Sequence, residues 1–323
     1  MKKVLLGICL FLVLAAAVSA ALKNPFVGSP KEEYYMVTFA SGIEYWRGCF
    51  KGMEDAAKLL GVKAIYTGAP HSDVNQEVTV LEQVLAKKPA GIAVTCVNPD
   101  GLKAPINKAI AAGIPVVTFD ADSPASDRYS YLGTSNYNAG ATAARFIGKL
   151  LGGQGEVGVT TVTGQLNHEQ RKAGFVETLQ NEYPNIKVVA VGNDNNDQTK
   201  AATLVAGFIQ ARPNLKGVFC TDALGGVGAA IAVREANAVG KIKIVSFDTD
   251  KGTLDLIKEG IISGSIAQGT WNMGYWSMMF LYNTKHNLVK PVAGWKTKGI
   301  NLLPGNVDTG TNVVTKNNLD SFQ

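Results

Sequence analysis

Short runs rich in β-branched residues alternate with longer amphipathic segments through nearly the whole chain, and this alternation limits the folds that the chain can adopt. The strand–helix unit recurs roughly every 25 to 30 residues, so the chain holds about nine or ten units. A single sheet with that many strands would be unusual. We therefore predict an α/β protein with two similar, doubly wound parallel-sheet lobes of about five strands each. A cleft between two such lobes is a natural ligand site.

The predicted strands are short apolar runs, and the predicted helices carry one apolar and one charged face. In the first helix, for example, Phe50, Met53 and Ala57 share one face, and Gly61 ends the helix. The predicted strands are 34–40, 62–66, 91–96, 115–119, 157–162, 188–191, 217–220, 242–247 and 264–268. The predicted helices are 47–60, 74–87, 101–112, 136–151, 169–181, 199–211, 225–238 and 271–284.

The N-terminus has the features of a secretory signal peptide. Lys2 and Lys3 precede an apolar run over residues 4–18, and small residues follow at positions 19–21. The apolar run is shorter than the roughly 20 residues of a comfortable spanning helix, so we prefer cleavage to an uncleaved membrane anchor. We predict cleavage after Ala20 and therefore an exported protein, located in the periplasm or another extracytoplasmic space.

Charge and composition argue against several classes of protein. The formal charge of +5 falls to +3 when Lys2 and Lys3 leave with a segment that contains no acid. That charge is mild, and no Lys/Arg cluster has interleaved aromatic residues, so no nucleic-acid partner is expected. The three histidines form no metal-spaced pair with one another or with a cysteine. We therefore expect neither a metal nor a cofactor.

No catalytic motif is apparent in the sequence. The glycines at 153, 155 and 158 spell the dinucleotide fingerprint, but they precede a predicted strand instead of following one, which indicates a turn. There is neither a phosphate-binding loop nor a Ser nucleophile elbow. The sequence therefore favours a protein that is not an enzyme, although a carboxylate pair of Asp120 and Asp248 leaves an exported sugar enzyme open.

Planar polar groups and aromatic rings follow nearly every predicted strand, at the edge where doubly wound sheets bind ligands. A single Asp at a strand end is more often a helix N-cap, but the set as a whole points to one cleft. Carboxylates, amides and a guanidinium exchange hydrogen bonds with hydroxyls, aromatic rings pack on the C–H face of a sugar, and several carboxylates would repel an anion. The predicted ligand-binding residues are Glu44, Tyr45, Trp46, Asp120, Asp122, His168, Arg171, Asn196, Asp222, Asp248, Gln268 and Trp271.

Seven segments distributed over almost all of the chain after residue 21 carry a resemblance to a known family. They are GCFKGMEDAAKLLGVK, AGIPVVTFDAD, YLGTSNYNAGATAARFI, HEQRKAGF, VFCTDALGGVGAA, IVSFDTD and GSIAQGTWNMG. Together they resemble the ribose-binding-protein family of periplasmic sugar-binding proteins, whose core is similar to the ligand domain of LacI-type repressors. The resemblance implies a type I periplasmic binding fold, in which two α/β lobes joined by three crossing strands close on a sugar.

The resemblance also implies domain boundaries and site residues. The first lobe would comprise 34–133 plus 269–307, the second 134–268 plus 308–323, with crossings near Thr134, Gln268 and Asp308. The family's aromatic contacts fall on Tyr45 and Trp46, its acids on Asp120, Asp222 and Asp248, and its other polar contacts on Arg171, Asn196 and Gln268. Ala121 follows Asp120 where ribose binders tend to have Arg, so another pentose, a hexose, a deoxy sugar or a polyol is as well expected as ribose.

The function that the resemblance implies is the extracytoplasmic solute-binding component of an ABC importer, with a monosaccharide or sugar-like polyol as ligand and the permease subunits as partners. An input protein for a chemoreceptor or a sensor kinase is the alternative, including one for autoinducer-2-type ligands. An exported sugar enzyme is the third and least favoured function. A repressor would need an N-terminal helix-turn-helix where this chain has its predicted signal peptide.

Overall fold

The computed structural model describes residues 24–289, 297–301 and 303–322. The predicted signal peptide, residues 1–20, lies outside the described residues. Within the described ranges, the helices are too short or too polar to cross a membrane.

The first sheet has six strands, all parallel to their neighbours. Its strands are β1 (Glu33–Thr38), β2 (Lys63–Gly68), β3 (Gly91–Val94), β4 (Val116–Phe119), β5 (Tyr131–Gly133) and β11 (Asn306–Asp308). Their spatial order is β11-β5-β4-β3-β1-β2. The order reverses between β1 and β3, which makes a topological switch point where the loops diverge and leave a crevice.

The second sheet repeats this plan with five parallel strands and one antiparallel edge strand. Its strands are β6 (Gln154–Thr161), β7 (Asn185–Asn193), β8 (Leu215–Cys220), β9 (Lys243–Phe247), β10 (Gly264–Gln268) and β12 (Thr311–Val314), in the order β12-β10-β9-β8-β6-β7. The antiparallel strand β12 pairs with β10. The prediction of two similar α/β lobes is therefore confirmed, with six strands in each sheet in place of about five.

Nine helices cover the two sheets in the described part of the chain. They are α1 (Trp46–Leu60), α2 (Val74–Ala86), α3 (Pro99–Ala111), α4 (Asn136–Leu150), α5 (Leu166–Glu182), α6 (Gln198–Ala211), α7 (Gly225–Glu235), α8 (Lys251–Lys258) and α9 (Thr270–Lys285). A short 3₁₀ helix follows at Leu319–Phe322. Each predicted strand and helix overlaps an observed one. Helix α8 and strands β5, β11 and β12 were not predicted, because α8 has only about two turns and the three strands contain no continuous apolar run.

One pair of helices in each lobe is held together by glycines. A Cβ atom at Gly274 of α9 would overlap the carbonyl oxygen of Cys49 in α1. In the second lobe a Cβ atom at Gly140 of α4 would overlap the carbonyl oxygen of Arg171 in α5, and one at Gly174 would overlap the backbone of α4. Glycine thus lets the two backbones touch. This close approach of α4 and α5 fixes the position of Arg171 relative to the carboxyl ends of the strands in the second sheet.

The chain passes between the two sheets three times. It leaves the first sheet after β5, returns after β10 to form α9 against α1, and passes again between β11 and β12. The predicted boundaries at 134, 268 and 308 stay a proposal, and the sheet to which each strand belongs supports them.

Candidate functional site

The loops after the strands of both sheets meet around one cavity, where about 370 Å³ is not filled by protein atoms, including space open to solvent. The first lobe contributes Phe39, Ile43, Tyr45, Trp46 and Asp120, and the second contributes Gln165, Asn167, His168, Arg171, Asn196, Asp222, Ala223, Asp248 and Gln268. The structure therefore brings nine of the twelve residues chosen from the sequence to one place.

Arg171 is the centre of the hydrogen-bond network around this cavity. Its side chain is almost fully buried, with 1% of its surface exposed. The guanidinium donates from Nε to Asn136 Oδ1 at 2.8 Å, from Nη1 to the Thr221 carbonyl at 2.8 Å, and from Nη2 to Gln268 Oε1 at 2.9 Å. Its Cζ atom lies 3.9 Å from the centre of the Phe247 ring. Neutral acceptors and an aromatic face thus hold the positive charge in place.

Asp120 brings a carboxylate from the first lobe. Its Oδ1 accepts a hydrogen bond from the Tyr45 hydroxyl at 2.7 Å, and its Oδ2 accepts a longer one from Thr95 Oγ1 at 3.4 Å. Burial raises the pKa of this carboxyl, and the positive charge of Arg171 opposes that rise. A carboxylate held in this way is an acceptor for ligand hydroxyls.

Asp248 brings a second carboxylate from the opposite lobe. Its Oδ1 accepts from Gln268 Nε2 at 2.7 Å. Burial raises the pKa of Asp248 to about 8, although the charge of Arg171 acts in the other direction. Burial therefore favours the protonated form of Asp248, which can donate as well as accept.

Asp120 and Asp248 occupy equivalent places in the two lobes. Each follows the fourth strand of its parallel set, within the segments FDAD at 119–122 and FDTD at 247–250. Each also has left-handed backbone geometry, with φ of 59° and 66°. Asp tolerates this region better than most residues, but it still costs about 1 kcal/mol or more, and such strain concentrates at functional sites.

Asp222 and His168 complete the polar wall of the second lobe. Asp222 Oδ1 accepts from the backbone N–H groups of Leu224 at 3.0 Å and Gly225 at 2.8 Å, at the start of α7. His168 Nδ1 lies 3.1 Å from both the carbonyl and the hydroxyl oxygen of Thr221. Burial, followed by the charge of Arg171, holds the pKa of His168 well below its usual range, so this ring is neutral.

Trp46 and Tyr45 form the aromatic wall of the first lobe. The Trp46 indole donates from Nε1 to the Phe39 carbonyl at 3.0 Å and packs edge-on against Phe39 and Phe119. The rings of Tyr45 and Trp46 lie 4.9 Å apart, also edge-on. Because its N–H is already used by the backbone, Trp46 offers the cavity an apolar ring surface.

The model of a family described as periplasmic binding protein domain matches residues 34–285. These residues are well over half of the chain. The chain belongs to this family. Membership of the periplasmic binding protein family implies an extracytoplasmic location, and the relatives below are named for the sugars they bind or for a complex they form, not for a reaction.

Three proteins that are similar to this periplasmic binding protein show which relatives it resembles. The structure of AraP, an arabinose-binding protein from Geobacillus stearothermophilus, is 51% identical and covers 91% of this chain and 100% of its own, with a TM-score of 0.83. The xylose/arabinose-binding protein XylF of Sulfolobus acidocaldarius is 27% identical over 289 residues, which are 84% of this chain and 68% of XylF. One chain of the XylFII–LytSN complex is 27% identical to this chain, with a TM-score of 0.77. The match covers 89% of this chain and 98% of that one.

Three of the predicted ligand-binding residues lie away from the cavity of this periplasmic binding protein. Asp122 is paired with Arg128 and accepts from Thr118 Oγ1 at 2.6 Å. Glu44 is exposed and borders a neighbouring cavity, which shares Tyr45, Asp248 and Gln268 with the first. Trp271 is 41% exposed on α9, where its Nε1 donates to an oxygen of Asp55. Their role in binding stays a prediction, and their positions do not favour it.

Two polar residues that sequence reasoning missed, Gln165 and Asn167, line the same cavity. Gln165 is the N-cap of α5 and Asn167 lies in its first turn, just before the predicted residues His168 and Arg171. The sequence signal was present, because this segment also follows a strand end. Among the described residues, no group of three or more His, Cys, Asp or Glu side chains is arranged to hold a metal ion.

Proposed function

We propose that this protein captures a neutral monosaccharide in the cavity between its lobes and delivers it to the permease subunits of an ABC importer. The observation that carries the proposal is the set of buried groups around the cavity: one guanidinium, Arg171, and three carboxyls, Asp120, Asp222 and Asp248. Such a set donates to and accepts from many hydroxyls, while its excess of acids disfavours an anionic ligand. The ring of Trp46 supplies the apolar surface for the C–H face of a sugar.

An aldopentose is the proposed ligand, with arabinose first. AraP, which shares half of its sequence with this chain over nearly the whole length, is named an arabinose-binding protein, and XylF is named for xylose and arabinose. Ligands of hexose size and sugar-like polyols are the next candidates.

Closure of the lobes is the proposed mechanism of capture. Asp120 and Trp46 belong to the first lobe, whereas Arg171 and Asp248 belong to the second, so a ligand that contacts all of them stabilises the closed state selectively. Rotation would take place at the three passages between the sheets, near residues 134, 268 and 308. The permease would recognise the closed arrangement of the two lobes.

Export and the absence of catalysis belong to the same proposal. The N-terminal pattern of two lysines, an apolar run and small residues supports cleavage after Ala20. Asp120 and Asp248 are both held by neutral donors, Tyr45 and Gln268, in the manner of binding groups. We expect NMR of the bound sugar to show that it is released unchanged.

Isothermal titration calorimetry of the protein from residue 21 onward tests the proposal, with arabinose, xylose, ribose, galactose, xylitol and autoinducer-2 as ligands. We expect one pentose to bind at micromolar or lower concentration, which corresponds to about 8 kcal/mol of binding free energy. Asp120→Asn should weaken that binding, whereas Asp127→Asn, at an exposed aspartate of the same lobe, serves as the matched control. Folded protein that binds none of these ligands would contradict the proposal.

A sensory role is the second candidate, and the XylFII–LytSN structure favours it because a similar chain there forms a complex with a second protein. The same closed shape would then be read by a receptor or kinase ectodomain. Immobilised protein, with and without its sugar, distinguishes the two roles. Sugar-dependent binding to the permease in nanodiscs supports import, and sugar-dependent binding to an ectodomain alone supports sensing.

A further inference from the structure

Asp194 and Asp222 form a buried pair of carboxyls behind the cavity. Asp194 is 0% exposed and Asp222 is 2% exposed. Asp194 Oδ1 accepts from the backbone N–H of Asn196 at 3.0 Å, and Asp222 Oδ1 accepts from two N–H groups at the start of α7. The second oxygen, Oδ2, of each carboxyl is buried and has no hydrogen-bond partner among the described residues. Oγ1 of Thr160, which is itself completely buried, lies beside Asp194.

The two carboxyls lie within hydrogen-bonding reach of each other. Three titratable or charged groups on the surrounding elements lie near the pair. Arg171 on α5 and Cys220 on β8 interact with it electrostatically, and His168 on α5 contacts Thr221, the residue before Asp222. None of them neutralises it. The Arg171 guanidinium is occupied by neutral acceptors, and His168 and Cys220 are uncharged because burial disfavours their ionised forms.

Two adjacent ionised carboxylates without a partner cation would be very unfavourable at this depth. A single proton between the two Oδ2 atoms removes one charge and satisfies both oxygens. The proton belongs on Asp194, because Asp222 accepts two backbone N–H groups at a helix N-terminus, which favours its ionised form. In agreement, burial and then the negative charge of Asp222 raise the pKa of Asp194 to about 8.

We propose that Asp194 is a positioning residue for sugar binding, which carries a proton at neutral pH and donates it from Oδ2 to Oδ2 of Asp222. This inference rests on the proposed function, since Asp222 borders the proposed sugar cavity. The bond fixes the rotation of the Asp222 side chain and leaves its remaining lone pairs to the ligand.

Asp194 also holds Asn196, another residue of the cavity. Asn195 and Asn196 both have left-handed backbone geometry, with φ of 55° and 57°, and the hydrogen bond from Asn196 N to Asp194 Oδ1 closes this turn. Asn tolerates this region better than most residues, but two in succession need support from their surroundings. One protonated side chain thus orients a carboxylate through its Oδ2 and an amide through its Oδ1.

The substitutions Asp194→Asn and Asp194→Ala separate the parts of this proposal. Asparagine keeps an acceptor for Asn196 N and a neutral donor for Asp222, but it does not titrate. Alanine removes both bonds. For the sugar that wild type binds, we expect Asp194→Ala to lose at least tenfold more affinity at pH 7 than Asp194→Asn. Equal affinities of the two variants would overturn the positioning role.

Urea unfolding of the ligand-free protein between pH 5 and pH 9 tests the proton without any sugar. Because the folded state holds the proton more tightly than the unfolded state, the stability of wild type relative to Asp194→Asn should fall as the pH rises toward about 8 and level off above it. Taking the difference between the two proteins removes the contributions of other buried acids, which titrate in both. A difference that does not change with pH would overturn the shared proton, and one that changes only with added Na⁺ or Ca²⁺ would replace it by a bound cation.

The two tests also separate this inference from the proposed function. If wild type binds no sugar, the proposed function fails, while the unfolding curves still decide whether Asp194 holds a proton. If wild type binds a sugar and the two variants are indistinguishable, the proposed function stands and the inference about Asp194 fails.

Discussion

Arg171 donates a hydrogen bond from Nη2 to Gln268 Oε1 at 2.9 Å, and the same oxygen accepts from the Thr134 hydroxyl at 2.6 Å. Thr134 follows β5, where the chain leaves the first sheet, and Gln268 ends β10, where the chain leaves the second. The central cation of the cavity is therefore connected to two of the three passages between the lobes. A ligand that displaces or strengthens this bond acts directly on the segments about which the lobes would rotate.

Replacing Arg171 by Met should abolish sugar binding and destabilise the protein. The change leaves Asn136 Oδ1 and the Thr221 carbonyl without their donor in a buried setting, at a cost of roughly 3 kcal/mol. Calorimetry and urea unfolding measure the two effects. The control is Arg145→Met, because Arg145 makes an exposed pair with Glu182, and solvent weakens such pairs. Retained affinity in Arg171→Met would contradict the central place given to this residue.

Two glycine substitutions test whether the close approach of α4 and α5 sets the position of Arg171. Gly140→Ala places a Cβ atom against the Arg171 carbonyl, and overpacking of this kind costs about 1–3 kcal/mol. We expect lower stability and weaker sugar binding, because α5 must shift. Gly207→Ala, on the exposed face of α6 with no atom within 4 Å of the added carbon, should instead stabilise the protein by roughly 0.5–1 kcal/mol. Similar effects of both substitutions on affinity would refute the coupling.

The carboxyl ends of the strands could be located from the sequence, but the direction of individual side chains could not. Asp120 and Asp122 stand two residues apart in FDAD, and both were chosen. In the structure Asp120 lines the cavity, whereas Asp122 pairs with Arg128. The hydrogen bonds within an irregular loop decide the directions of its side chains. Trp271 was chosen because it follows the end of β10. It lies within the first turn of α9, and the rotation of that helix against α1 turns the indole outward.

The FDxD segment occurs twice, at 119–122 and 247–250, and the prediction from the sequence did not use this repetition. It marks the pseudo-symmetry of the lobes and the left-handed geometry of Asp120 and Asp248. The proton of Asp194, by contrast, had no sequence signal. It follows only from the depth of burial and from the two Oδ2 atoms that have no hydrogen-bond donor among the described residues, which are properties of the packed chain.

Glu77 should make the stability of the protein depend on pH independently of the sugar. This residue of α2 is completely buried, accepts from Val97 N at 3.0 Å, and has a pKa raised to about 8 by burial. The folded state therefore keeps the proton that the unfolded state loses near pH 4.5, so stability falls by about 1.4 kcal/mol per pH unit between these limits. Urea unfolding gives the free energy of unfolding of wild type and of Glu77→Gln, and the difference between the two should change with pH at this slope.

The matched control is Glu82→Gln in the same helix, since Glu82 is exposed and pairs with Lys108 on the surface. Urea unfolding of this variant over the same range of pH shows whether a Glu→Gln change on the surface of α2 is enough to produce the slope. A flat difference between wild type and Glu77→Gln would mean that water or a local rearrangement keeps Glu77 ionised in the folded protein.

Substitutions at Asp122 and Arg128 decide whether this acid serves the ligand or the fold. Both side chains are 10% exposed, and Arg128 also donates to the Gly305 carbonyl at 2.9 Å and to Asn306 Oδ1 at 3.2 Å. The pair thus ties the loop after β4 to the returning strand β11. Arg128→Met should cost about 3–5 kcal/mol of unfolding free energy, because it leaves a buried carboxylate unpaired. Asp122→Asn should lower stability and leave the sugar affinity nearly unchanged, whereas a loss of affinity beyond tenfold in folded Asp122→Asn protein would restore the ligand-binding role predicted from the sequence.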